Sequence, residues 1–171
     1  MASSDKVSLT MDKTKAHDAI TLALLQRFET AKWAAKQAHD AAINEESVAE
    51  NKYDTFGLEA SYLAHGQSQR VLECQTDWQL FEKKQAVLYG DGLVGLWCLV
   101  TLSRVGDSES EKYYFISPCA GGLSLEVDDK SLYLVTLSSP VGKLLTGNSV
   151  GDSIDLLQGG VKLPYEIINI E

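Results

Sequence analysis

Helix-breaking residues are distributed very unevenly along this chain. Residues 1–78 contain two glycines and no proline, whereas residues 79–171 contain the other eleven glycines and all three prolines. Because proline interrupts a helix and glycine weakens it, only the first part can form long uninterrupted helices. The second part is rich in Val, Leu and Tyr, a composition typical of strands and turns. We therefore predict an α+β protein with a helical domain at 1–78 and a β-rich domain at 79–171.

One apolar seam runs along the first predicted helix at spacings of three and four residues, as in a coiled coil. Its members are Ile20, Leu24, Phe28, Ala31, Ala35, Ala38 and Ala42. We predict a helix over 12–44, about 50 Å long, with Thr10 as its N-cap. A second, less apolar seam comprises Phe56, Ala60, Leu63, Gln67, Arg70 and Cys74. Two such helices with a polar stretch between them predict an antiparallel hairpin.

Short apolar runs separated by glycine-containing turns predict a mostly antiparallel sheet in the second domain. The predicted strands are Ala86–Leu88, Leu93–Ser103, Lys112–Ile116, Leu132–Leu137, Ser153–Leu157 and Pro164–Ile170. Between the fourth and fifth strands, Ser139-Pro140 is a typical helix start and Gly147 a typical helix stop. We expect one short helix packed on this sheet.

The net charge of -9 argues against a protein that holds nucleic acid or anionic lipid on a wide basic surface. Three cysteines and three histidines are scattered, without the spacing of a disulfide framework or a metal site. No run of about 18 apolar residues and no signal peptide pattern is present. We expect a cytoplasmic protein without a membrane partner, without a metal of its own and without a stably bound cofactor.

Acidic residues concentrate in the segment between the two predicted helices. Between Asn44 and Asp54 there are four acids and one lysine, a local charge of -3. A solvated hairpin tip is the ordinary explanation. The alternative is an arm that brings carboxylates, which Mg²⁺ prefers as ligands, to another protein's metal site. Because an arm has no cleft of its own, we expect no enzyme here, at most a modulator of another active site.

A pattern of Ser-Pro, short helix, Val-Gly-Asp turn and Tyr-Glu-Ile strand extends over Ser139–Gly147, Val150–Asp152 and Tyr165–Ile167. This pattern is similar to the C-terminal pattern of the Gre-type bacterial transcript cleavage factors. Glu50-Asn51 resembles the Glu-Asn step of the family's hairpin tip. The stretch Glu50–Gln67 is similar to a divergent Gre-like subgroup.

The resemblance implies a helical hairpin fused to an FKBP-like domain that docks on RNA polymerase core, while the hairpin enters the secondary channel. Contact with nascent RNA and DNA would be indirect. The implied acids near the Mg²⁺ of the polymerase active site are Glu50, Glu46 and Glu45. The residues implied to position the tip are Asn51, Ser47 and Tyr53. The implied docking residues are Ser139, Pro140, Gly147, Gly151 and Asp152.

Ser47 stands where the family has an aspartate, three residues before the glutamate of the tip. A neutral hydroxyl is a much poorer Mg²⁺ ligand than a carboxylate. The chain is therefore expected either to stimulate transcript cleavage or to compete with cleavage factors. The alternative hypothesis is a coiled-coil scaffold or oligomerisation protein with a β-rich docking domain, since the Ala-rich seam permits close helix approach. Prolyl isomerase activity ranks below both, because a fold does not by itself carry a function.

Overall fold

The computed structural model describes residues 10–46, 56–86 and 92–171. Two long helices come first, α1 (Lys13–Glu46) and α2 (Phe56–Lys83). The remaining elements are β1 (Leu99–Arg104), β2 (Asp107–Ile116), β3 (Ser124–Val127), β4 (Lys130–Val135), α3 (Pro140–Leu145), β5 (Ser153–Gln158) and β6 (Val161–Ile170). The predicted α+β class, with two long helices, a sheet and one short helix, is confirmed.

The chain divides into two compact units. One contains residues up to Ala19 together with Ala86–Glu171, and the other contains Ile20–Gln85. The first unit, called the sheet unit below, thus holds the sheet, α3 and the start of α1. The second, called the hairpin unit, holds the rest of α1 with α2. Residue 78 lies inside α2, and the domain boundary predicted there stays a prediction.

Asp12 caps the start of α1. Its carboxylate Oδ1 accepts a hydrogen bond from the backbone N of Lys15 at 2.8 Å, and its carbonyl accepts one from Ala16 at 2.9 Å. The predicted cap at Thr10 is therefore wrong by two residues. Lys15 Nζ in turn lies 2.8 Å from Asp128 Oδ2. That hydrogen bond and the charge of Asp128 raise the pKa of Lys15 and tie the first turn of α1 to the β3–β4 turn.

Within the hairpin unit, the predicted seam of α1 is the protected side of the helix. Ile20, Leu24, Ala31 and Ala42 are buried, and the other seam residues are half-buried. The ring of Phe28 stacks on that of Trp78 with centroids 5.7 Å apart. Further along α1, Ala35 lines a groove together with Val71. Since later residues of α1 meet earlier residues of α2, the two helices run antiparallel, as predicted.

The inner side of α2 differs from the predicted seam. Leu63 is 57% exposed and Arg70 is exposed, whereas the prediction put both inside. The buried or half-buried positions at spacings of three and four are Ala64, Gln67, Val71, Cys74, Trp78 and Phe81. The large rings at 78 and 81 decide which side is covered, because burying them removes the most apolar surface from water.

Six strands form one sheet in the order β3-β4-β2-β1-β6-β5. All neighbours are antiparallel except β2 and β4, which pair in parallel because the intervening chain, including β3, crosses over. The predicted mostly antiparallel sheet is confirmed, with this one parallel pair added. One core cluster, which includes Leu145 of α3, covers one face: Val94, Cys98, Val100, Leu102, Tyr114, Ile116, Val135, Leu145, Ile154, Leu156, Tyr165 and Ile167.

The strand predicted over Leu93–Ser103 is interrupted. Leu93 forms an isolated bridge with Ser149, and a turn in which Cys98 N donates to Gly95 O separates it from β1. Trp97, with a left-handed φ of 71°, lies in this turn. The prediction also missed β3, since four residues with two apolar side chains give little alternation to detect. The predicted strand Ala86–Leu88 lies outside the described residues after Ala86.

The backbone of α3 meets the end of β4 at the steric limit. A Cβ added at Gly142 would lie 1.9 Å from the carbonyl oxygen of Thr136, and one at Gly121 would lie 2.9 Å from Thr136 Cγ2. Neither glycine has the left-handed φ that makes other glycines of the chain necessary. Closeness of backbone, rather than backbone conformation, therefore requires glycine at 142.

Gly142→Ala is expected to lower the free energy of unfolding by at least about 2 kcal/mol, because the new methyl must displace a backbone carbonyl. Gly66→Ala is the matched control, since its added Cβ meets nothing within 4 Å. In the middle of α2 it should raise stability by about 0.5–1 kcal/mol. Urea denaturation of both variants measures the difference, and a neutral Gly142→Ala would contradict the close approach.

Thr101→Val is expected to stabilise the protein by about 1 kcal/mol. Thr101 is 1% exposed in β1, and its hydroxyl has no hydrogen-bond partner among the described residues. Ser117→Ala should act in the opposite direction by a similar amount, because the buried Ser117 hydroxyl donates to the carbonyl of Cys119 at 2.6 Å. Thermal unfolding tests the pair, and a destabilised Thr101→Val would show that the hydroxyl is satisfied.

Candidate functional site

The acidic tip is the first predicted site, and it falls on the connection between α1 and α2. The following predicted tip residues lie outside the described part of the chain: Ser47, Glu50, Asn51 and Tyr53. Glu45 and Glu46 belong to the last turn of α1, but their side chains also lie outside the described part. The roles assigned to these six residues therefore stay predictions.

The second predicted site is the docking region around α3, which begins with a well-formed cap. Ser139 has an extended backbone, and its Oγ accepts from the backbone N of Gly142 at 3.0 Å. The same Oγ donates to the carbonyl of Thr136 at 2.7 Å. Pro140 occupies the first helical position, where its missing N–H costs nothing. The helix start predicted at Ser139-Pro140 is confirmed.

The end of α3 is held by hydrogen bonds to a distant part of the sheet unit. Thr146 N donates to the carbonyl of Gly142 at 2.9 Å. Gly147 then turns the chain with a φ of 83°, and its N donates to the carbonyl of Val94 at 2.9 Å. Val94 N in return donates to Asn148 at 2.8 Å. The predicted helix stop at Gly147 is confirmed, and it also anchors the segment before β1.

A tight turn before β5 contains the other two predicted docking residues. Asp152 Oδ2 accepts from Ser149 N at 2.7 Å and from Ser149 Oγ at 3.0 Å. The hydrogen bond from the backbone of Ser149, then that from its hydroxyl, lowers the pKa of Asp152. Gly151 has a φ of 94°, and its N donates to the carbonyl of Ile167 at 2.8 Å. Both residues are explained by the geometry of the turn.

All five predicted docking residues thus shape the chain around α3, and the structure gives each an intramolecular role. Their docking role stays a prediction. The surface that they shape exposes apolar side chains: Leu137 is 43% exposed, Leu144 44% and Val150 57%. Pro140 is exposed as well. Large exposed apolar side chains of this kind occur on contact surfaces for other proteins.

A cavity of about 530 Å³ lies beside α3, with a size in the range of ligand pockets. Its walls include Tyr114, Leu123, Tyr133, Pro140 and Val141. The two tyrosine rings lie with centroids 5.8 Å apart.

Burial raises the pKa of Tyr114 to about 12, with further contributions from Tyr133 and Tyr165. Its phenol is therefore a neutral hydrogen-bond donor at physiological pH. The sequence interpretation missed this cavity, because it took Gly121-Gly122 only as a turn. The alternation that puts Tyr114 and Ile116 on one face of β2 was the available signal.

Other candidate sites carry no comparable geometry. Gly90 lies outside the described residues, while Gly92 and Gly95 precede a turn and then β1 rather than a helix. That context is unlike a dinucleotide-binding loop. Within the described ranges, no group of three or more His, Cys, Asp or Glu residues is arranged to hold a metal ion. None of the helices in those ranges is sufficiently long and apolar to cross a membrane.

Several solved structures of transcription factors are similar to this chain. The Gfh1 protein (GreA factor homolog 1) of Thermus thermophilus is 21% identical, with a TM-score of 0.36, and the match covers 88% of this chain and 94% of that one. For Gfh1 of Thermus aquaticus the identity is 18% and the TM-score 0.38, over 90% of this chain and 94% of that one.

The transcription elongation factor GreA/GreB of Nitrosomonas europaea is 17% identical, with a TM-score of 0.38, over 57% of this chain and 78% of that one. No protein-family model matches the chain, and no curated protein matches it. At these identities and TM-scores the similarity does not by itself assign a function.

Asp152→Ala is expected to lower the melting temperature at neutral pH, because it removes the acceptor of both bonds from Ser149. Since the folded-state pKa is below the unfolded value, this stabilisation is present above about pH 4 and is lost as the pH falls through the folded-state pKa. The difference from the wild type should therefore shrink in acid. Asp155→Ala, at an exposed position of β5, is the control and should change little at any pH. A loss from Asp152→Ala that is equally large at pH 7 and pH 3 would contradict this explanation.

Proposed function

We propose that this protein is a transcription regulator that binds RNA polymerase, docks through the surface around α3 and inserts its helical hairpin into the secondary channel. The observation that carries the proposal is the antiparallel pairing of α1 and α2, with an acidic segment joining them. That segment has four acids and one lysine in eleven residues. A hairpin with acids where its helices join suits delivery of carboxylates to a metal ion.

The length of the hairpin supports this role. α1 has 34 residues and therefore extends about 50 Å, more than a small domain needs to cover its own core. The acidic charge fits approach to a metal ion and not to the phosphates of a nucleic acid. A protein of net charge -9 can thus act at a polymerase without binding DNA directly.

The surface around α3 supports the docking part of the proposal. The caps at Ser139 and Gly147 and the turn at Asp152 hold a rigid shape, and this shape exposes Leu137 and Leu144. An apolar contact on a rigid surface orders few side chains on binding, and so loses little entropy. Ser139, Gly147 and Asp152 belong to the stretches in which the sequence resembles the Gre-type C-terminal pattern.

We propose further that the protein does not stimulate transcript cleavage and instead competes with cleavage factors for the same channel. In the resembling family a tip aspartate and glutamate help to hold a second Mg²⁺, and here Ser47 replaces the aspartate. One carboxylate fewer weakens the binding of a hard cation that prefers oxygen anions. Glu50 is then the main acid near the polymerase Mg²⁺, with Glu46 and Glu45 behind it. The protein itself is not an enzyme in this proposal.

The test uses stalled elongation complexes that contain backtracked RNA and RNA polymerase core. The wild-type protein should release no short 3′ RNA fragments by itself, and it should slow fragment release by an added cleavage factor. Ser47→Asp should restore measurable cleavage, because it supplies the missing carboxylate. Ser47→Asn is the matched control, since it is similar in size but has no negative charge, and it should stay inactive.

Docking is checked separately by co-elution with RNA polymerase core on size-exclusion chromatography. Leu144→Asp should abolish co-elution, whereas Leu157→Asp, at a residue 69% exposed in β5, should leave it unchanged.

If the wild type releases fragments and Glu50→Ala does not, the competing version is wrong and the cleavage version holds. If the wild type fails to co-elute with the polymerase, the whole proposal fails.

A further inference from the structure

The hairpin unit has an apolar groove between its two helices. It has a volume of about 550 Å³ and is lined by Lys32, Ala35, Lys36, Ser68, Val71 and Leu72. Two of its lining residues, Ala35 and Ser68, have small side chains. Leu72 is 63% exposed at its edge, which leaves a large apolar side chain in water.

The charge of this groove is opposite to that of the protein. The chain carries -9 in total, yet the groove lining has two lysines and no carboxylate. Lys32 Nζ pairs with Glu29 at 3.1 Å and lies 5.2 Å from the centroid of the Phe28 ring. Lys36, one helical turn later, makes no ion pair with a described residue. The ammonium group of Lys36 is therefore available to a carboxylate of a partner.

We propose that this groove binds an amphipathic helix of a partner protein, with an apolar stripe flanked by carboxylates. The apolar side chains Val71 and Leu72 would receive the stripe, as in other complexes of a helix in a groove. The lysine stems at 32 and 36 would cover the sides of the bound helix while their ammonium groups meet its carboxylates.

The apolar lining favours a peptide over a nucleic acid. Phosphate contacts require clustered cationic and polar donors, whereas three of the six lining side chains are Ala35, Val71 and Leu72. This inference is independent of the proposed function, because the groove lies within the hairpin unit and involves neither the acidic tip nor the surface around α3. The binding experiment contains no polymerase, so the groove proposal and the proposed function can fail separately.

The probe is a synthetic helical peptide of about 18 residues, five turns long, with leucines along one side and glutamates beside them. It is titrated into the full-length ¹⁵N-labelled protein, and amide shifts are followed by NMR. The amides of Ala35, Ser68 and Val71 should shift together. A matched peptide with lysines in place of the glutamates should bind at least about tenfold more weakly, because it places like charges beside Lys36.

Two variants locate the binding site. Leu72→Ser removes the exposed apolar contact and Lys36→Glu reverses the charge beside the groove, and each should weaken peptide binding by about tenfold or more. Leu22→Ser is the control, because Leu22 is 56% exposed on α1 but does not line the groove. It should bind the peptide as the wild type does.

The proposal is overturned if the glutamate peptide does not bind, or if both peptides bind equally well. It is also overturned if a single-stranded RNA oligonucleotide, and not the peptide, shifts the groove amides. The oligomeric state of the protein, measured by sedimentation, can also contradict the proposal. If the protein is a dimer that Leu72→Ser dissociates, a second copy occupies the groove, and the alternative of an oligomerisation hairpin takes its place.

Discussion

The placement of α3 in the sheet unit depends on the carbonyl group of Thr136. It accepts hydrogen bonds from both the backbone N and the hydroxyl of Ser139, at 3.0 and 2.7 Å, and so it holds the start of α3. The same oxygen lies where any side chain at 142 would have to be. One peptide group thus fixes both the cap and the first turn of the helix. Leu145, at the end of that helix, is completely buried in the core cluster.

The surface around α3 takes its form from this constraint. Because α3 is short and capped at both ends, its exposed residues Pro140 and Leu144 are presented on a fixed backbone, with the exposed Leu137 just before the cap. Tyr114 and Pro140 line the cavity beside it. The residues that match the Gre-type pattern are therefore mainly those that build this surface.

Local charge describes this protein better than its total charge does. The acids and bases give -4 over residues 1–78 and -5 over residues 79–171, so the excess of acids is spread evenly. Against this background, the segment joining the helices is strongly negative, whereas the groove lined by Lys32 and Lys36 is positive. Since salt screens charges beyond about 10 Å, a partner responds to such local groups and not to the sum.

Prediction from sequence succeeded where a structural feature is encoded within a few residues. The seam of α1 was visible because its spacing repeats over many turns without Pro or Gly. The limits of α3 were visible because Ser-Pro and Gly act on the adjacent backbone. The register of α2 was missed, since its apolar residues allow two seams and Trp78 and Phe81 decide between them through contacts with other elements. The break at Trp97 was missed because its left-handed φ is typical of Gly and rare for an aromatic residue.

The sequence by itself determined that the chain has two long helices, a sheet in the part that holds most of the glycines, and one short capped helix, because helix breakers, caps and periodicity act locally. Only the tertiary structure decided the parallel pairing of β2 with β4, the cavity beside α3, the groove of the hairpin unit and the need for glycine at 142. Each of these depends on atoms that belong to different elements, and their distances follow from packing rather than from any pattern along the chain.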